Sequence, residues 1–186
     1  MKEEKKILLN LGAGNDIRNG YINHDIAPLL NIDVVHDLNH YPWPWEDNSI
    51  DEVLALDVIE HLDDFLLVME ECYRIMKPGG LLKLKVPYWN SAYAHMDPTH
   101  KRGFHEVTFH FLDPSKEVCK ARSYYTHARF QIKEEIFILI PFAPYLRLPF
   151  VKEIYVRGRI TKRVVGFLGN LFSNIILDLK IGMVKK

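Results

Sequence analysis

Short apolar runs recur along the first half of the chain, each broken by glycine, proline, asparagine or aspartate. Runs of that kind, bounded by turn formers, read as buried strands. Ile7–Leu11 ends at Gly12 and predicts a central strand; Tyr21–Ile26, Asp33–Leu38 (with Val34 and Val35) and Asp51–Leu56 predict the next three. The period then changes. Phe65, Leu66, Met69, Cys72, Tyr73 and Met76 recur at three- and four-residue spacing, which predicts a helix with one apolar face, capped by Asp63. Lys77-Pro78-Gly79-Gly80 stops it, because proline cannot continue a helix and glycine accepts a left-handed turn. Leu81–Val86 predicts a fifth strand. Strand and helix signals alternating in this way argue for βαβ units and a mainly parallel sheet.

Beyond Pro87 the character changes. Residues 88–112 are rich in aromatics and histidines, and Arg129–Ile140 and Ile175–Val184 each contain a further strand. Between those strands, Val164, Leu168, Leu171 and Ile175 fall on one helical face beside Arg159, Lys162 and Arg163. Gly166 and Gly169 weaken that helix by ~1 kcal/mol each.

A chain of 186 residues suits one domain with a full core. Apolar residues make up 48% and charged residues 26%, which is ordinary globular usage, and no apolar stretch approaches the ~20 residues that span a bilayer. Cys72 and Cys119 are far apart and form no CxxC pair, so neither a disulfide framework nor a thiolate–zinc scaffold is expected. The opening MKEEKK does not make a secretory signal, and the expected compartment is the cytoplasm. The net charge of zero hides an asymmetry: residues 1–119 carry 11 Lys/Arg against 20 Asp/Glu, residues 120–186 carry 13 against 4. A basic C-terminal third can hold an anionic substrate, a phosphate or a membrane surface, or simply form a solvated face.

The chemistry starts at Leu9-Asn10-Leu11-Gly12-Ala13-Gly14-Asn15, a strand followed by a glycine turn. Glycines let a backbone approach a ligand where a side chain would collide, and amides at a following helix N-terminus would face that ligand. Asp25 closes the second strand, where a carboxylate can take both hydroxyls of a ribose. Asp37-Leu38 closes the third; a carboxylate with an apolar neighbour can accept an adenine amino hydrogen and cover the ring. Each acid taken alone is equally a helix cap or a turn residue.

Together these residues resemble the class I S-adenosylmethionine-dependent methyltransferases, specifically their type 11 group. The resemblance rests on Leu9 to Gly14, Asp25, Asp37, the run Tyr41-Pro42-Trp43-Pro44-Trp45-Glu46-Asp47-Asn48-Ser49-Ile50-Asp51-Glu52-Val53, then Asp57-Val58-Ile59-Glu60-His61-Leu62 and Arg74-Ile75-Met76-Lys77-Pro78-Gly79-Gly80. It covers residues 7–87 and continues loosely through Asp97-Pro98-Thr99-His100-Lys101-Arg102. It implies a doubly wound three-layer αβα sandwich, with a seven-stranded, mostly parallel sheet whose last strand is antiparallel. It also implies a single domain over residues 1–186, with 1–87 as the cofactor-binding half and 88–186 as the acceptor side. In that family Asn10, Gly12, Ala13 and Gly14 would lie at the methionine moiety, Asp25 at the ribose with Ile26 against adenine, Asp37 and Leu38 at the adenine edge, and Leu56 and Asp57 at the methionine end. Asn10 stands where the family often has an acid, and Asp16 where it often has a third glycine.

The implied activity is methyl transfer from S-adenosylmethionine to an oxygen, nitrogen or carbon of a small molecule, glycan or lipid intermediate. The cofactor carries the reactive chemistry, and the protein supplies position and electrostatics. Where the acceptor must lose a proton, His61, His95, Asp97 and His100 are the candidate catalytic groups, with His105 behind them and Tyr88, Trp89 and Tyr93 as an aromatic wall. Asp57, Glu60, His61, His95 and His100 offer carboxylate and imidazole to a divalent ion, yet no metal is assigned, because Glu-His pairs are widespread in metal-free relatives. Two rivals stand beside this reading. A nicotinamide-dependent Rossmann oxidoreductase would need a third glycine after Gly12-Ala13-Gly14 and an acid later than Asp25. A non-catalytic S-adenosylmethionine-binding module would keep the same acids. The basic C-terminal third, with the stretch around Arg157 to Phe172, is a candidate for peripheral membrane contact; no nucleic-acid-binding module is recognisable and nucleic acid is not an expected partner.

Overall fold

The computed structural model describes residues 5–139 and 153–186. Five strands run parallel: β1 (Leu8–Leu11), β2 (Tyr21–Asp25), β3 (Val34–Val35), β4 (Ile50–Leu56) and β5 (Met76–Pro87). They are followed by β6 (Phe130–Leu139), β7 (Ile154–Val156) and β8 (Asp178–Lys185), and the eight strands lie in the order β3-β2-β1-β4-β5-β8-β6-β7. β8 enters antiparallel between β5 and β6. The order reverses direction between β1 and β4, so the carboxyl ends of the first strands open on a crevice, the position where ligands bind in open α/β sheets.

The α/β class, the mostly parallel sheet and its reversed last strand are as the sequence predicts; the strand count is eight rather than seven. The added strand, β7, is three residues on the edge of β6, too short for any alternation to register. Ile140, the predicted last residue of the β6 strand, lies outside the described residues. Two further expectations are corrected. No helix follows the glycine turn: residues 12–20 are turns that lead directly into β2. Asn15-Asp16 and Asn19-Gly20 favour turns, and the side-chain amide of Asn10 donates to the Asp16 carbonyl (2.8 Å) and to Asn23 Oδ1 (3.1 Å), holding that loop compact.

The second correction concerns α1 (Phe65–Ile75). Its cap is Asp64, not Asp63: the Asp64 carboxylate accepts from the N–H groups of Leu66 and Leu67, whereas Asp63 pairs with Lys101. Phe65, Val68, Met69, Cys72 and Ile75 form the buried face. At the other end Lys185 is buried, and its ammonium donates to the carbonyls of Tyr73 (2.6 Å) and Met76 (2.8 Å). A cation on the last free carbonyls offsets the negative helix terminus and ties the C-terminal strand to α1. Met76 is already strand, and the segment through Gly80 forms an irregularity in the β4–β5 ladder. A Cβ on Gly80 would lie 2.8 Å from the Lys77 carbonyl oxygen, so only glycine fits.

The second half of the chain adds short helices: α2 (Tyr93–Met96), α3 (Glu106–His110) and α4 (Glu117–Ala121), then α5 (Arg159–Leu171). The predicted apolar face of α5 does not pack inward. Val164 and Leu171 are exposed, and the helix rests on its two glycines; a Cβ on Gly169 would lie 2.5 Å from Ile176 Cδ1. Gly166 and Gly169 weaken the isolated helix and are also what lets it approach the sheet. Ile175 lies beyond the helix end.

Replacing Asp64 with alanine is expected to lower unfolding free energy by about 1 kcal/mol in chemical denaturation, the usual cost of a lost cap. Asp63→Ala, which removes only a surface ion pair, should cost less than half of that.

Candidate active site

The crevice at the carboxyl ends of β1 and β2 holds a cavity of about 410 Å³. Its floor is the glycine turn. Gly12 (φ +59°) and Gly14 (φ +49°) are both left-handed, and a Cβ on Gly12 would lie 2.5 Å from Val58 Cγ2. The turn is held by the end of β2. The N–H of Ala13 donates to the His24 carbonyl (2.8 Å), that of Gly12 lies 3.4 Å from His24 Nδ1, and that of Gly14 donates to Asp25 Oδ2 (2.8 Å). His24 Nε2 is 2.9 Å from the His36 carbonyl, which requires its proton there and leaves Nδ1 free to accept from Gly12. Burial holds this imidazole neutral, with its pKa below the ordinary value.

Asp25 Oδ1 accepts from the Ala27 N–H (3.0 Å), so both carboxylate oxygens are oriented by backbone and each keeps a lone pair for a ligand. Asp37 is oriented in the same manner by the Asn39 N–H (2.9 Å); that bond, with His40 nearby, lowers its pKa. Ile26 is exposed at the rim and Leu38 is buried in the wall.

Of the predicted cofactor residues, Gly12, Asp25, Ile26, Asp37, Leu38 and Asp57 line this cavity. Ala13 and Gly14 do not; they shape the turn. Asn10 is buried behind it, and Leu56 lines a separate cavity with Leu54, Lys83 and Lys85. Alternation along β4 accounts for Leu56, since neighbouring residues of a strand face opposite sides. His24 and His36 also line the cavity, and sequence reasoning passed over both. His24 sits directly before Asp25, where a polar side chain inside an apolar strand is the signal that could have found it.

A second cavity of about 310 Å³ adjoins the first and shares Asp57 with it. Glu60, Lys85, Asp97, His100 and Asp178 supply its polar groups; Tyr93 and Met96 supply apolar ones. Asp57 (φ +56°) ends β4 in a conformation that few non-glycine residues adopt, and its Oδ2 pairs with Lys85 Nζ at 2.6 Å. Burial opposes charge on Lys85, but the hydrogen bond and charge of Asp57 outweigh it, and its pKa is raised. Burial pushes Asp178 up to about 6, against the pull of Lys85 at 3.9 Å, and pushes Glu60 up to about 8. Glu60 is fully buried, and neither of its carboxylate oxygens has a hydrogen-bond partner among the described residues.

His61 lines the first cavity, and Asp97 and His100 the second. His95 lies exposed on α2 and lines neither. Thr99 links the others: its hydroxyl donates to Asp97 Oδ1 (2.6 Å), so it accepts from His61 Nδ1 (2.9 Å). The proton of His61 is therefore on Nδ1 and its Nε2 carries a lone pair. Burial, then the neighbouring His100 ring at 4.6 Å, lowers the pKa of His61. Lys85 and Asp178 escaped the sequence reading because they come from β5 and β8, which only the sheet order places side by side.

These features coincide with those of known proteins. Residues 13–84 match the family model described as methyltransferase domain. A protein of Mycolicibacterium smegmatis named as a probable S-adenosylmethionine-dependent methyltransferase is 35% identical over 75 residues, 40% of this chain and 28% of that one. A demethylmenaquinone methyltransferase of Listeria welshimeri is 32% identical over 73 residues, 36% of this chain and 30% of that one. The matched region thus spans under a third of the length of these curated relatives. The crystal structure of an S-adenosylmethionine-dependent methyltransferase from Archaeoglobus fulgidus superposes over 97% of this chain and 86% of its own, with a TM-score of 0.61 at 21% identity, a likeness of fold. Residues 13–84 are thus similar to the methyltransferase-domain family, and the whole sheet has the fold of a solved S-adenosylmethionine-dependent methyltransferase.

Asp178 gives the site a pH signature. Its pKa of about 6 lies above the unfolded value near 3.8, so between those values the folded chain keeps a proton that the unfolded chain has released. The contribution of Asp178 to stability is therefore full below about pH 4 and is lost as pH rises through 6, a loss of up to about 3 kcal/mol. Asp178→Asn should flatten this slope and raise the melting temperature at pH 7.5 more than at pH 4.5, as read by thermal denaturation across that range.

Proposed function

We propose that the chain transfers a methyl group from S-adenosylmethionine to a polar atom of a small amphiphilic acceptor. The observation that carries this reading is the shared wall at Asp57: a cavity with a glycine floor and two oriented carboxylates meets a second cavity with a charged floor and an apolar rim. The first fits an adenosyl group. The bare backbone at Gly12 admits a close approach, Asp25 has lone pairs for two ribose hydroxyls, Asp37 accepts an amino hydrogen, and Leu38 and Ile26 cover an aromatic ring. Its volume lies within the ~300–1,000 Å³ of small-molecule sites. When bound, S-adenosylmethionine supplies an electrophilic methyl on a sulfonium.

The residues of this chain then position and discriminate. Holding donor and acceptor in register contributes ~7–11 kcal/mol to lowering the barrier. Asp57, on the wall common to both cavities, is the carboxylate placed to take a proton from the acceptor atom, and Lys85 fixes its orientation. His61, Asp97 and His100 hold the acceptor end of the site. Tyr93 and Met96 offer apolar surface at the mouth, which suits a tail rather than a second polar group.

The demethylmenaquinone methyltransferase among the relatives agrees with a lipophilic acceptor, and so does α5. That helix leaves Ile160, Phe167 and Leu171 exposed beside the cationic Arg159 and Arg163. It also touches the loop bearing Tyr93 and Met96, through Asn90 Nδ2 to the Gly169 carbonyl (2.6 Å). An apolar face flanked by cations suits the surface of an anionic bilayer, from which such an acceptor would be drawn. No helix among the described residues is long and apolar enough to cross a membrane.

Calorimetry should show S-adenosylmethionine binding that Asp25→Asn and Asp37→Asn each weaken about 10- to 100-fold, the range for losing hydrogen bonds to a charged group. Nicotinamide-cofactor binding, or affinity untouched by both changes, would refute the assignment. Sedimentation with phosphatidylglycerol vesicles should carry down the wild-type chain and lose it on Phe167→Asp. Binding of that variant at the wild-type level would remove the bilayer from the account.

A further inference from the structure

Glu60 is the least explained group in the molecule. It comes from the 3-10 turn Ile59–His61, is fully buried, and has both carboxylate oxygens without a hydrogen-bond partner among the described residues. A buried carboxylate costs several kcal/mol unless it is protonated, paired or bound to a cation. Its nearest candidate partner, His100 Nε2, stands 3.9 Å from Oε1, beyond hydrogen-bond reach, and His100 Nδ1 is also buried with no partner among the described residues. Nothing in methyl transfer requires three such atoms, on two side chains, left bare at one point.

We infer that Glu60, His61 and His100 form a binding site for one divalent transition-metal cation between the two cavities. One ligand atom from each lies within 4.8 Å of the others. Ligand atoms sharing an ion at about 2.1 Å lie roughly 3.0–3.4 Å apart, so side-chain rotations that close about 1–2 Å complete the set. Two imidazoles and a carboxylate select first-row transition metals over magnesium or calcium, which take oxygen ligands.

The outer contacts support the assignment. Histidines that ligate metals usually commit their other ring nitrogen to a hydrogen bond that fixes tautomer and orientation. His61 does this: its Nδ1–H donates to Thr99, whose hydroxyl donates to Asp97, leaving the Nε2 lone pair free. The 4.6 Å edge contact between the His61 and His100 rings holds the two in a common orientation. Three protein ligands leave coordination positions open, as in catalytic rather than structural sites. Two of the three ligands, Glu60 and His100, line the cavity also bounded by Lys85, Asp97 and Asp178. There the ion would dock an acceptor hydroxyl and increase its acidity, which lets a carboxylate such as Asp57 take the proton. This use of the ion rests on the methyltransfer reading; the binding does not.

The test uses Co²⁺ with the full chain, without S-adenosylmethionine, followed by calorimetry and visible absorption. One ion per chain is expected, with d–d bands of mixed imidazole and carboxylate ligation. Glu60→Gln and His100→Asn should each weaken binding at least tenfold. Thr99→Val, which removes only the outer contact, should weaken it about tenfold. His95→Asn, on the exposed face of α2, should leave it unchanged. Absence of stoichiometric binding, or affinity within twofold of wild type in both Glu60→Gln and His100→Asn, would overturn the site, as would loss on His95→Asn. If Glu60→Gln fails to fold by circular dichroism, His61→Asn replaces it under the same criterion. S-adenosylmethionine binding measured on the same samples separates the two readings: cofactor binding without Co²⁺ removes only the metal, and Co²⁺ binding without cofactor removes only the methyltransfer assignment.

Discussion

The arrangement of the site depends on how the end of β2 grips the turn after β1. The left-handed glycines on either side of Ala13 aim three successive N–H groups at β2: the ring of His24 faces that of Gly12, its carbonyl receives that of Ala13, and the carboxylate of Asp25 receives that of Gly14. Left-handed backbone is a conformational choice that an unrestrained loop makes only part of the time. Binding the turn to a strand paired in parallel register, Leu8 with Tyr21 and Asn10 with Asn23, converts that choice into a fixed floor. The same contacts orient Asp25, so one set of bonds builds both the floor and the first ligand-binding carboxylate. His24 passes the constraint on to the segment after β3 through the His36 carbonyl, and so towards Asp37.

The second cavity is organised by charge rather than by backbone. Asp57, Lys85 and Asp178 form a short row in which one cation serves two carboxylates at unequal distances, 2.6 and 3.9 Å. Burial raises the pKa of Asp178, and Lys85 only partly offsets it. Such a cluster lowers stability relative to an apolar filling of the same space, because desolvating charges costs more than imperfect pairing returns. Placing it at the junction of two cavities is therefore a sign of use. Glu60 extends the same pattern, with a carboxylate taken fully out of water and given no partner among the described residues.

The C-terminal third shows how a helix can be retained for its outer face. α5 reaches the sheet through glycines: at Gly169 any larger side chain would strike Ile176, and Gly166 lies close against Phe137. Its long apolar side chains are thereby left outward, beside arginines, and the loop over the second cavity is tied to its C-terminal end through Asn90. The sequence periodicity correctly located an amphipathic helix, but it could not say which face would be buried, because small residues carry little weight in a hydrophobic pattern.

The sequence by itself determined the class of fold, the order of the parallel strands' runs, the helix after β4 and most of the first cavity. Glycine at a turn, an acid at a strand end and apolar runs between them are local requirements, legible one residue at a time. Tertiary structure decided what depends on juxtaposition. It assigned the α1 cap to Asp64 rather than Asp63, inserted β8 between β5 and β6, and brought Lys85 and Asp178 together across that pairing. It also separated His95 from His100, and Leu56 from Asp57, because adjacency along a chain says nothing of which side of a strand or helix a group faces.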